Sequence, residues 1–350
     1  MEVFAVVCPN GLGHVKRVVG LLHALDVLKP GFRAALLLPP FAERLKNWPK
    51  LQHPNWQLFP LPKGIRGVRW SSDASAYRDG SLFAWEKHLR SLPAFRRARL
   101  VLSDNLATVL AHRPDAVLSG SFLWSDVLEK AHGGEPEVRK FVELERQLLA
   151  KHKPLMLGVE ALAMPSVKRQ TRWKGFGFFT QGPRWPLRLP SGQTYRIAVL
   201  GGATAAARKL LLQAVRELAA GKDYQLLLPE GLLQAAQAEG IGNTALFGFR
   251  AEDFASCHLV ICRPGVGTLT DCVETATPLV AVYEAGNAEM EHLGRLVEKL
   301  GLGRNAGQSP VRELVEKMLD PEQQKYHRAK LHAQTGGGLE KAALFLADFF

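Results

Sequence analysis

Three glycine-rich turns in the sequence have residue types suited to binding phosphate, and the first of them runs into a histidine. They lie at 10–14, 201–204 and 264–268, each after an apolar run and before a helical pattern. Free backbone N–H groups and the positive end of a helix dipole meet at such turns, and both favour an anion. The candidate phosphate-contacting residues are Gly11, Gly13, Gly202, Thr204, Gly265, Gly267 and Thr268. One such turn is weak evidence because backbone geometry alone often requires glycine, but three together predict a phosphate-bearing ligand.

His14 is the candidate catalytic residue. It directly follows the first glycine turn, which places it at the start of the first predicted helix. An imidazole titrates near neutral pH and can take a proton from a hydroxyl group or from water while a new bond forms. The alternative is a ring that only caps or hydrogen-bonds the turn.

Other phosphate-binding and metal motifs lack their key residues. Lys16 stands where a dinucleotide-binding turn has its third glycine, and the second predicted strand ends at Leu38-Pro39-Pro40 without an acid to hold a ribose. No P-loop string occurs in the chain. The four cysteines lack the paired spacing of zinc sites. We therefore expect no metal and no cofactor.

The elements that must position these residues alternate between buried strands and helices. An apolar strand, a glycine turn and a helix open the chain at 3–28 and recur at 196–219. Further strand candidates are 34–38, 116–119, 155–159, 224–228, 259–262 and 279–282, and further helical patterns cover 81–102 and 138–151. Such alternation is typical of parallel sheets with helices on both faces. The sequence predicts an α/β fold of two tandem doubly wound Rossmann-like domains with parallel sheets.

The segment from Val260 to Arg295 reads V-I-C-R-P-G-V-G-T-L-T-D-C-V-E-T-A-T-P-L-V-A-V-Y-E-A-G-N-A-E-M-E-H-L-G-R. It resembles the donor-binding region of GT-B fold glycosyltransferases, especially the MurG-like enzymes of family 28. The resemblance implies metal-independent transfer of a hexosyl or N-acetylhexosaminyl group, with inversion, to a hydroxyl acceptor. The implied donor is a nucleotide-diphospho-sugar, with a UDP-sugar favoured.

The resemblance also assigns residues to the donor. Gly265, Gly267 and Thr268 would face the diphosphate, as would the turn at 201–204. The other residues implied in donor binding are Phe249, Arg250, Arg263, Asp271, Glu289 and Glu291. Asp271 would hold the ribose hydroxyls where the family commonly has Glu. The two glutamates would read the sugar, and Met290 between them departs from the family pattern.

The domain boundaries follow from a change in composition. The stretch 164–193 is rich in Pro, Gly, Arg and Trp and has no sustained period, which is typical of an interdomain connection. We predict an acceptor-side domain over 1–190 and a nucleotide-sugar-binding domain over 191–338, with the ligand in the cleft between them. The helix 339–350 would pack back on the first domain and cover its aromatic side chains.

The net charge of +12 is concentrated in the first half. Residues 1–190 carry 29 Lys and Arg against 15 Asp and Glu, a net charge of +14, and residues 191–350 carry 16 against 18, a net charge of −2. Basic and aromatic residues interleave over 63–99, which suits an anionic or lipid-linked acceptor, a membrane surface or single-stranded nucleic acid. A solvated basic surface over ordinary core aromatics explains the pattern as well. We expect a cytoplasmic protein, with peripheral contact at the inner face of the membrane as a further option.

Two other functions remain open. The string Gly11-Leu12-Gly13-His14-Val15-Lys16-Arg17 also resembles the nucleotide-sugar hydrolase of pseudaminic acid synthesis, in which the histidine would activate water. A basic nucleic-acid-binding protein without catalysis would explain the charged first half. It would leave the three phosphate turns unexplained, so nucleic acid is the less favoured partner.

Overall fold

The computed structural model describes residues 2–40, 48–180, 185–186, 194–201, 204–220 and 224–349. The chain divides into two compact units. The first unit comprises 1–179 together with 337–350, and the second comprises 180–336.

The first unit is built on a seven-stranded parallel sheet. Its strands are β1 (Val3–Val6), β2 (Ala34–Leu38), β3 (Trp56–Pro60), β4 (Leu100–Asp104), β5 (Val117–Ser119), β6 (Leu155–Val159) and β7 (Arg172–Phe176). Its helices are α1 (Leu12–Leu28), α2 (Ser81–Ser91), α3 (Pro93–Arg97), α4 (Trp124–His132), α5 (Pro136–His152), α6 (Pro165–Gln170) and the last helix of the chain, α14 (Gly338–Ala347). The strands lie in the order β3-β2-β1-β4-β5-β6-β7. The order therefore reverses between β1 and β4.

The second unit repeats the plan with six parallel strands. They are β8 (Tyr195–Leu200), β9 (Tyr224–Leu228), β10 (Thr244–Leu246), β11 (Leu259–Cys262), β12 (Leu279–Val282) and β13 (Gly303–Gly307). The helices are α7 (Ala205–Ala219), α8 (Glu230–Ala238), α9 (Ala251–Ala255), α10 (Val266–Thr275), α11 (Ala288–Lys299), α12 (Arg312–Met318) and α13 (Pro321–His332). The strand order is β10-β9-β8-β11-β12-β13, so the reversal lies between β8 and β11.

These two parallel sheets confirm the predicted fold class. Among the central strands, β1, β4 and β11 are buried along their whole length because helices cover both faces of the sheet. In the first unit Val3 of β1 pairs with Ala34 of β2 on one side and with Leu100 of β4 on the other. In the second unit Leu259 of β11 pairs with Ile197 of β8.

Two sequence predictions about local structure are wrong. The helical pattern at 81–102 breaks at Leu92, because a residue before proline is driven towards extended backbone, and the chain then forms the central strand β4. The stretch 164–193, predicted to be an interdomain connection without regular structure, contains the boundary between the two units at 179–180, but α6 and the edge strand β7 lie before that boundary. A search for apolar runs misses β7 because Arg172 and Lys174 interrupt it and none of its residues is fully buried.

The last helix packs on the first helix of the chain within the first unit. Ala342, Ala343 and Leu346 of α14 are fully buried. Gly338 starts the helix by donating its N–H to Phe178 O at 2.9 Å. A Cβ at Gly338 would overlap the carbonyl of Gly177, so glycine is required for this close approach.

The aromatic half of the basic segment 63–99 belongs to the core. Trp70, Tyr77, Trp85 and Phe95 are each at most 3% exposed. They are therefore unable to insert among lipid headgroups, and any contact of this segment with an anionic surface has to use its basic side chains. None of the helices in the described part of the chain has both the length and the apolar character needed to cross a bilayer.

Glu145 is a buried carboxyl group at the junction of α4 and α5. Its Oε2 accepts a hydrogen bond from the backbone N–H of Ser125 at 2.6 Å. Burial raises the pKa of Glu145 from 4.5 to about 7, although the Ser125 contact works in the opposite direction. The folded state therefore holds this proton more tightly than the unfolded chain does. The resulting stabilisation is complete below about pH 4.5 and is lost as the pH rises through about 7.

Glu145→Gln should remove this pH dependence, because the amide stays neutral and keeps an oxygen for the Ser125 N–H. Near pH 5 the variant and the wild type should have similar free energies of unfolding. At pH 8 the variant should be more stable by on the order of 3 kcal/mol, since one pKa unit corresponds to about 1.4 kcal/mol. Denaturant unfolding followed by tryptophan fluorescence measures this difference, because six of the seven tryptophans lie in the first unit and only Trp185 in the second. Glu143→Gln, at an exposed position of the same helix, is the control and should change neither value.

Candidate active site

The candidate catalytic centre lies where the strand order of the first unit reverses. In doubly wound sheets the connections leave the sheet in opposite directions at this point and open a crevice beside the carboxyl ends of the strands. Here α1 follows β1, with Gly11 as its N-terminal cap at φ 149°, a backbone angle that favours glycine. His14 therefore lies in the first turn of α1, and β4 ends beside it at Asp104.

His14 and Asp104 form a hydrogen-bonded pair. His14 Nδ1 lies 2.6 Å from Asp104 Oδ2. The Asp104 side chain is fully buried, and that of His14 is 11% exposed. Burial raises the pKa of Asp104, but the nearby charges of Arg17 and His14 outweigh it and leave the pKa below its usual value. The carboxylate is therefore ionised and accepts the proton of Nδ1, so that Nε2 has a free lone pair whenever the ring is in its neutral form.

Other side chains fix this pair in place. Arg17, one turn after His14 on α1, donates from Nε to Asp104 Oδ1 at 2.8 Å, and its Nη2 bonds the same oxygen. Ser119 Oγ from β5 also approaches Oδ1, at 3.3 Å. The ring of Phe122 meets the His14 ring edge-on, with 6.4 Å between centroids. A base whose partner is itself held in this way has a defined orientation.

Cys8 lies beside the pair but is poorly suited to hold a metal with it. One ligand atom each from Cys8, His14 and Asp104 lies within 4.8 Å of the others, the only such group in the described ranges. Thiolate is the form of cysteine that binds metals. Burial raises the pKa of Cys8 well above its usual value, and the Asp104 charge adds to the effect. Asp104 is already bonded to Arg17 and His14, so these donors fit a proton-transfer site better than a metal site.

The phosphate turns of the second unit lie at the carboxyl ends of β8 and β11, again where the strand order reverses. Thr204 caps α7 by accepting the Ala207 N–H at 3.2 Å. Gly265 caps α10, whose first turn contains Gly267 and Thr268, and Asp271 follows one turn later at a half-buried position. Gly202 lies outside the described residues. Both helix N-termini have the polarity that favours an anion.

Arg263 is not an unpaired cation at this edge. Its guanidinium donates hydrogen bonds to Glu284 Oε1 from Nε at 3.0 Å and from Nη2 at 2.6 Å. Both side chains are largely buried, at 11% and 5% exposure. Glu284 is the second residue after β12, and sequence reasoning missed it because an acid after a strand has no distinctive spacing. The pair is close to neutral, so the positive potential here has to come from helix termini and hydroxyl groups.

The remaining donor candidates lie in the first turn of α11 and at the start of α9. Glu289 is buried, Met290 points into the core at 1% exposure, and Glu291 Oε1 accepts the Gly286 N–H at 3.1 Å. Phe249 is half exposed at φ 61°, with its ring edge-on to Phe247 at 5.1 Å. Arg250 is exposed and bonds Asp253, where it caps α9. The departure of Met290 from the family pattern is thus explained by packing.

Asp104 and Arg17 are the site residues that sequence reasoning missed. Asp104 was overlooked because the segment before it was assigned to a helix. The available signal was the apolar run at 100–102 followed directly by Ser103-Asp104-Asn105, which is the pattern of a buried strand ending in polar side chains. In the sequence Arg17 stands out only as the last residue of the string from Gly11 to Arg17.

Comparisons with known proteins agree on the fold. No protein-family model matches the chain, and no curated protein matches it. Among solved structures, Os79 from O. sativa in complex with UDP matches with a TM-score of 0.70 and 14% identity over 100% of each chain. A UDP-glucosyltransferase from Polygonum tinctorium matches with a TM-score of 0.67 and 14% identity, over 99% of this chain and 98% of that one. The Streptomyces sp. SF2575 glycosyltransferase SsfS6, complexed with thymidine diphosphate, matches with a TM-score of 0.62 and 15% identity over 99% of each chain. At such identities the likeness concerns the fold, and the chain has the GT-B fold of these glycosyltransferases.

Proposed function

We propose that this protein is a glycosyltransferase that moves a sugar from a nucleotide-diphospho-sugar to a hydroxyl acceptor. The observation that carries the proposal is the His14–Asp104 pair at the strand-order reversal of the first unit. His14 Nε2 removes the proton of the acceptor hydroxyl while the hydroxyl oxygen forms a bond to the sugar. The buried carboxylate of Asp104 stabilises the positive charge that develops on the imidazole ring. The full-length likeness to proteins described as glycosyltransferases supports the same reaction.

The second unit is proposed to bind the donor. The N-termini of α7 and α10, with the hydroxyl groups of Thr204 and Thr268, offer neutral donors to a diphosphate. Such groups stabilise the charge on a departing nucleoside diphosphate without a metal ion. Asp271 accepts hydrogen bonds from the ribose hydroxyls, and Glu289 and Glu291 contact the sugar.

Finer features of the donor and the mechanism follow from the sequence resemblance at 260–295. It supports a MurG-like enzyme, a uridine base and a hexosyl or N-acetylhexosaminyl group. Two structural neighbours are in complex with UDP and with thymidine diphosphate, which supports a nucleoside diphosphate as the ligand. The acceptor oxygen, deprotonated by His14, bonds to the anomeric carbon as the bond from that carbon to the nucleoside diphosphate breaks. A single displacement of this kind inverts the anomeric configuration.

Hydrolysis of a nucleotide-sugar is the second candidate function. It is favoured by the string from Gly11 to Arg17 and uses the same base to activate water. The two reactions differ in whether nucleotide release needs an acceptor. Steady release of UDP from UDP-glucose or UDP-N-acetylglucosamine by the protein alone would establish the hydrolase. Release that requires an added hydroxyl compound, from a panel of phenols, sugars and lipid-linked sugars, would establish the transferase.

His14→Gln should lower the rate of sugar transfer by about 10²–10⁴-fold, the usual contribution of a positioned general base. Asp104→Asn should lower it as well, because the amide neither carries a charge nor fixes the same ring tautomer. Binding of UDP by calorimetry should stay nearly unchanged in both variants, since the loss concerns an interaction made in the transition state. His23→Gln, on the same helix but hydrogen-bonded to Lys50 O, is the matched control and should keep full activity. Full activity in His14→Gln would reduce His14 to a structural residue.

Asp271→Asn should weaken binding of UDP and of UDP-sugars by about 10–100-fold, because a hydrogen bond to a charged group contributes about 1.5–3 kcal/mol. The melting temperature without ligand should stay near the wild-type value because the side chain is half-buried at the edge of the sheet. Titration calorimetry with UDP gives the affinities. Glu298→Gln removes an exposed carboxylate from the same unit and serves as the control. Wild-type affinity in Asp271→Asn would remove this residue from the donor site.

Contact with an anionic membrane or acceptor is proposed for the exposed end of the basic segment 63–99. Arg96, Arg97 and Arg99 are exposed around α3. Replacing all three with Gln should weaken sedimentation with phosphatidylserine vesicles by about 100-fold at low salt, since each cation near such a surface contributes about 1 kcal/mol. The control changes Lys299, Arg312 and Lys317 of the second unit to Gln, an equal change in charge. Tighter binding of a single-stranded oligonucleotide than of vesicles would favour the nucleic-acid alternative.

A further inference from the structure

Arg17 makes more contacts at the candidate active site than the proposed reaction uses. Its side chain is 10% exposed. It bonds Asp104 Oδ1 through two nitrogens, donates from Nη2 to Asn105 Oδ1 at 3.0 Å, and places Nη2 3.1 Å from His14 Nδ1. Because the two residues are three apart on α1, their side chains share one face of the helix.

The contact between Arg17 and His14 is repulsive for a charged ring. A guanidinium only donates hydrogen bonds and stays protonated at any working pH. His14 Nδ1 already gives its proton to Asp104, so the two nitrogens at 3.1 Å face each other as donors. A second proton on the ring at Nε2 would add positive charge beside a fixed cation in a mostly buried place. Arg17 therefore opposes protonation of the atom that acts as base.

Arg17 also decides which oxygen of Asp104 is left for the histidine. It occupies Oδ1, together with the Ser119 hydroxyl at 3.3 Å, and Oδ2 remains for His14 at 2.6 Å. With Arg17 and Asp104 charged and His14 neutral, the cluster has no net charge. Without Arg17 the same cluster would carry one buried negative charge, which favours a protonated imidazole.

The surrounding chain holds Arg17 in this position. Asn105 lies directly after β4 at φ 57°, and its Nδ2 donates to Phe122 O at 2.9 Å while its Oδ1 accepts from Arg17. A Cβ at Gly120 would overlap the Asn105 side chain, so the end of β5 has to be glycine to admit it. The loops after β4 and β5 are thus shaped around the residue that anchors Arg17.

We propose that Arg17 is a positioning residue that sets the protonation of His14. It holds Asp104 ionised through Oδ1, keeps the ring proton on Nδ1, and keeps Nε2 unprotonated to a lower pH than an isolated histidine–aspartate pair would allow. The proposal rests on the proposed function, in which Nε2 is the base. The titratable groups that face His14 are Asp104 from β4, Arg17 on its own helix and the protonated thiol of Cys8 after β1.

Titration of His14 by nuclear magnetic resonance tests this inference without requiring turnover. The full-length protein, labelled at its eleven histidines, is titrated as wild type, Arg17→Gln and Arg17→Lys, with the His14 signal assigned by its loss in His14→Gln. In Arg17→Gln the midpoint should rise by about 1 pH unit or more, the usual effect of removing a charge at such a distance. Arg17→Lys keeps the positive charge but loses the two guanidinium nitrogens that bond Asp104 together, so its midpoint should rise less. Lys29→Gln removes one charge from the far end of α1 and should leave the midpoint unchanged.

A double variant keeps the test decisive where Arg17→Gln folds poorly. Arg17→Gln with Asp104→Asn leaves His14 no charged partner, and its His14 midpoint should lie above that of Asp104→Asn alone, in which the charge of Arg17 still opposes protonation of the ring. An unchanged His14 midpoint in Arg17→Gln, or a midpoint in the double variant no higher than that of Asp104→Asn, would overturn the inference and leave Arg17 a structural residue. The pH dependence of kcat/KM tests the chemistry separately. Its acidic limb should shift between variants by the same number of pH units as the His14 midpoint. A moved midpoint with no effect of His14→Gln on turnover would uphold the role of Arg17 in protonation and reject the proposed function.

Discussion

The charge of Asp104 is the constraint on which the candidate active site depends. A fully buried carboxylate is strongly disfavoured unless its oxygens are occupied by charged or polar partners. The fold brings these partners to the end of β4 from two elements, namely Arg17 and His14 from α1 and Ser119 from β5. The hydrogen bond by which His14 helps to stabilise the buried carboxylate also orients its imidazole ring. The same contact therefore stabilises the charge of Asp104 and positions the proposed base.

Charged side chains are arranged differently at the strand-order reversals of the two units. In the first unit a cation and an anion are paired and a titratable ring is added to them. In the second unit Arg263 and Glu284 compensate each other, and the neighbouring turns contribute backbone N–H groups and hydroxyls. Helix termini are preorganised and carry no proton that has to be gained or lost. The first arrangement suits proton transfer, and the second suits a ligand whose charge stays fixed.

The sequence predicted those parts of the fold that depend on local pattern. Apolar runs identified β2, β6, β9, β11 and β12, and the repeat of a strand, a glycine turn and a helix identified the tandem plan. The central strand β4 was missed because the helical period before it extends across Leu92 and Pro93 into Leu100–Leu102, and edge strand β7 because it is only partly buried. His14 was found because it adjoins a glycine turn. Its partner Asp104 lies ninety residues away, and a pairing over that distance arises only from the order of strands in the sheet, which has no local signature.

The return of α14 to α1 has a consequence for synthesis on the ribosome. The helix that carries His14 is translated before the second unit, yet the surface against which it packs is made only after the whole of that unit, 180–336. At roughly 5–20 residues per second, that interval lasts on the order of 10 s or more. During it the apolar face of α1 that α14 later covers stays open to solvent or to chaperones. The first unit therefore completes its folding after the second unit has been made, although most of its own residues are translated earlier.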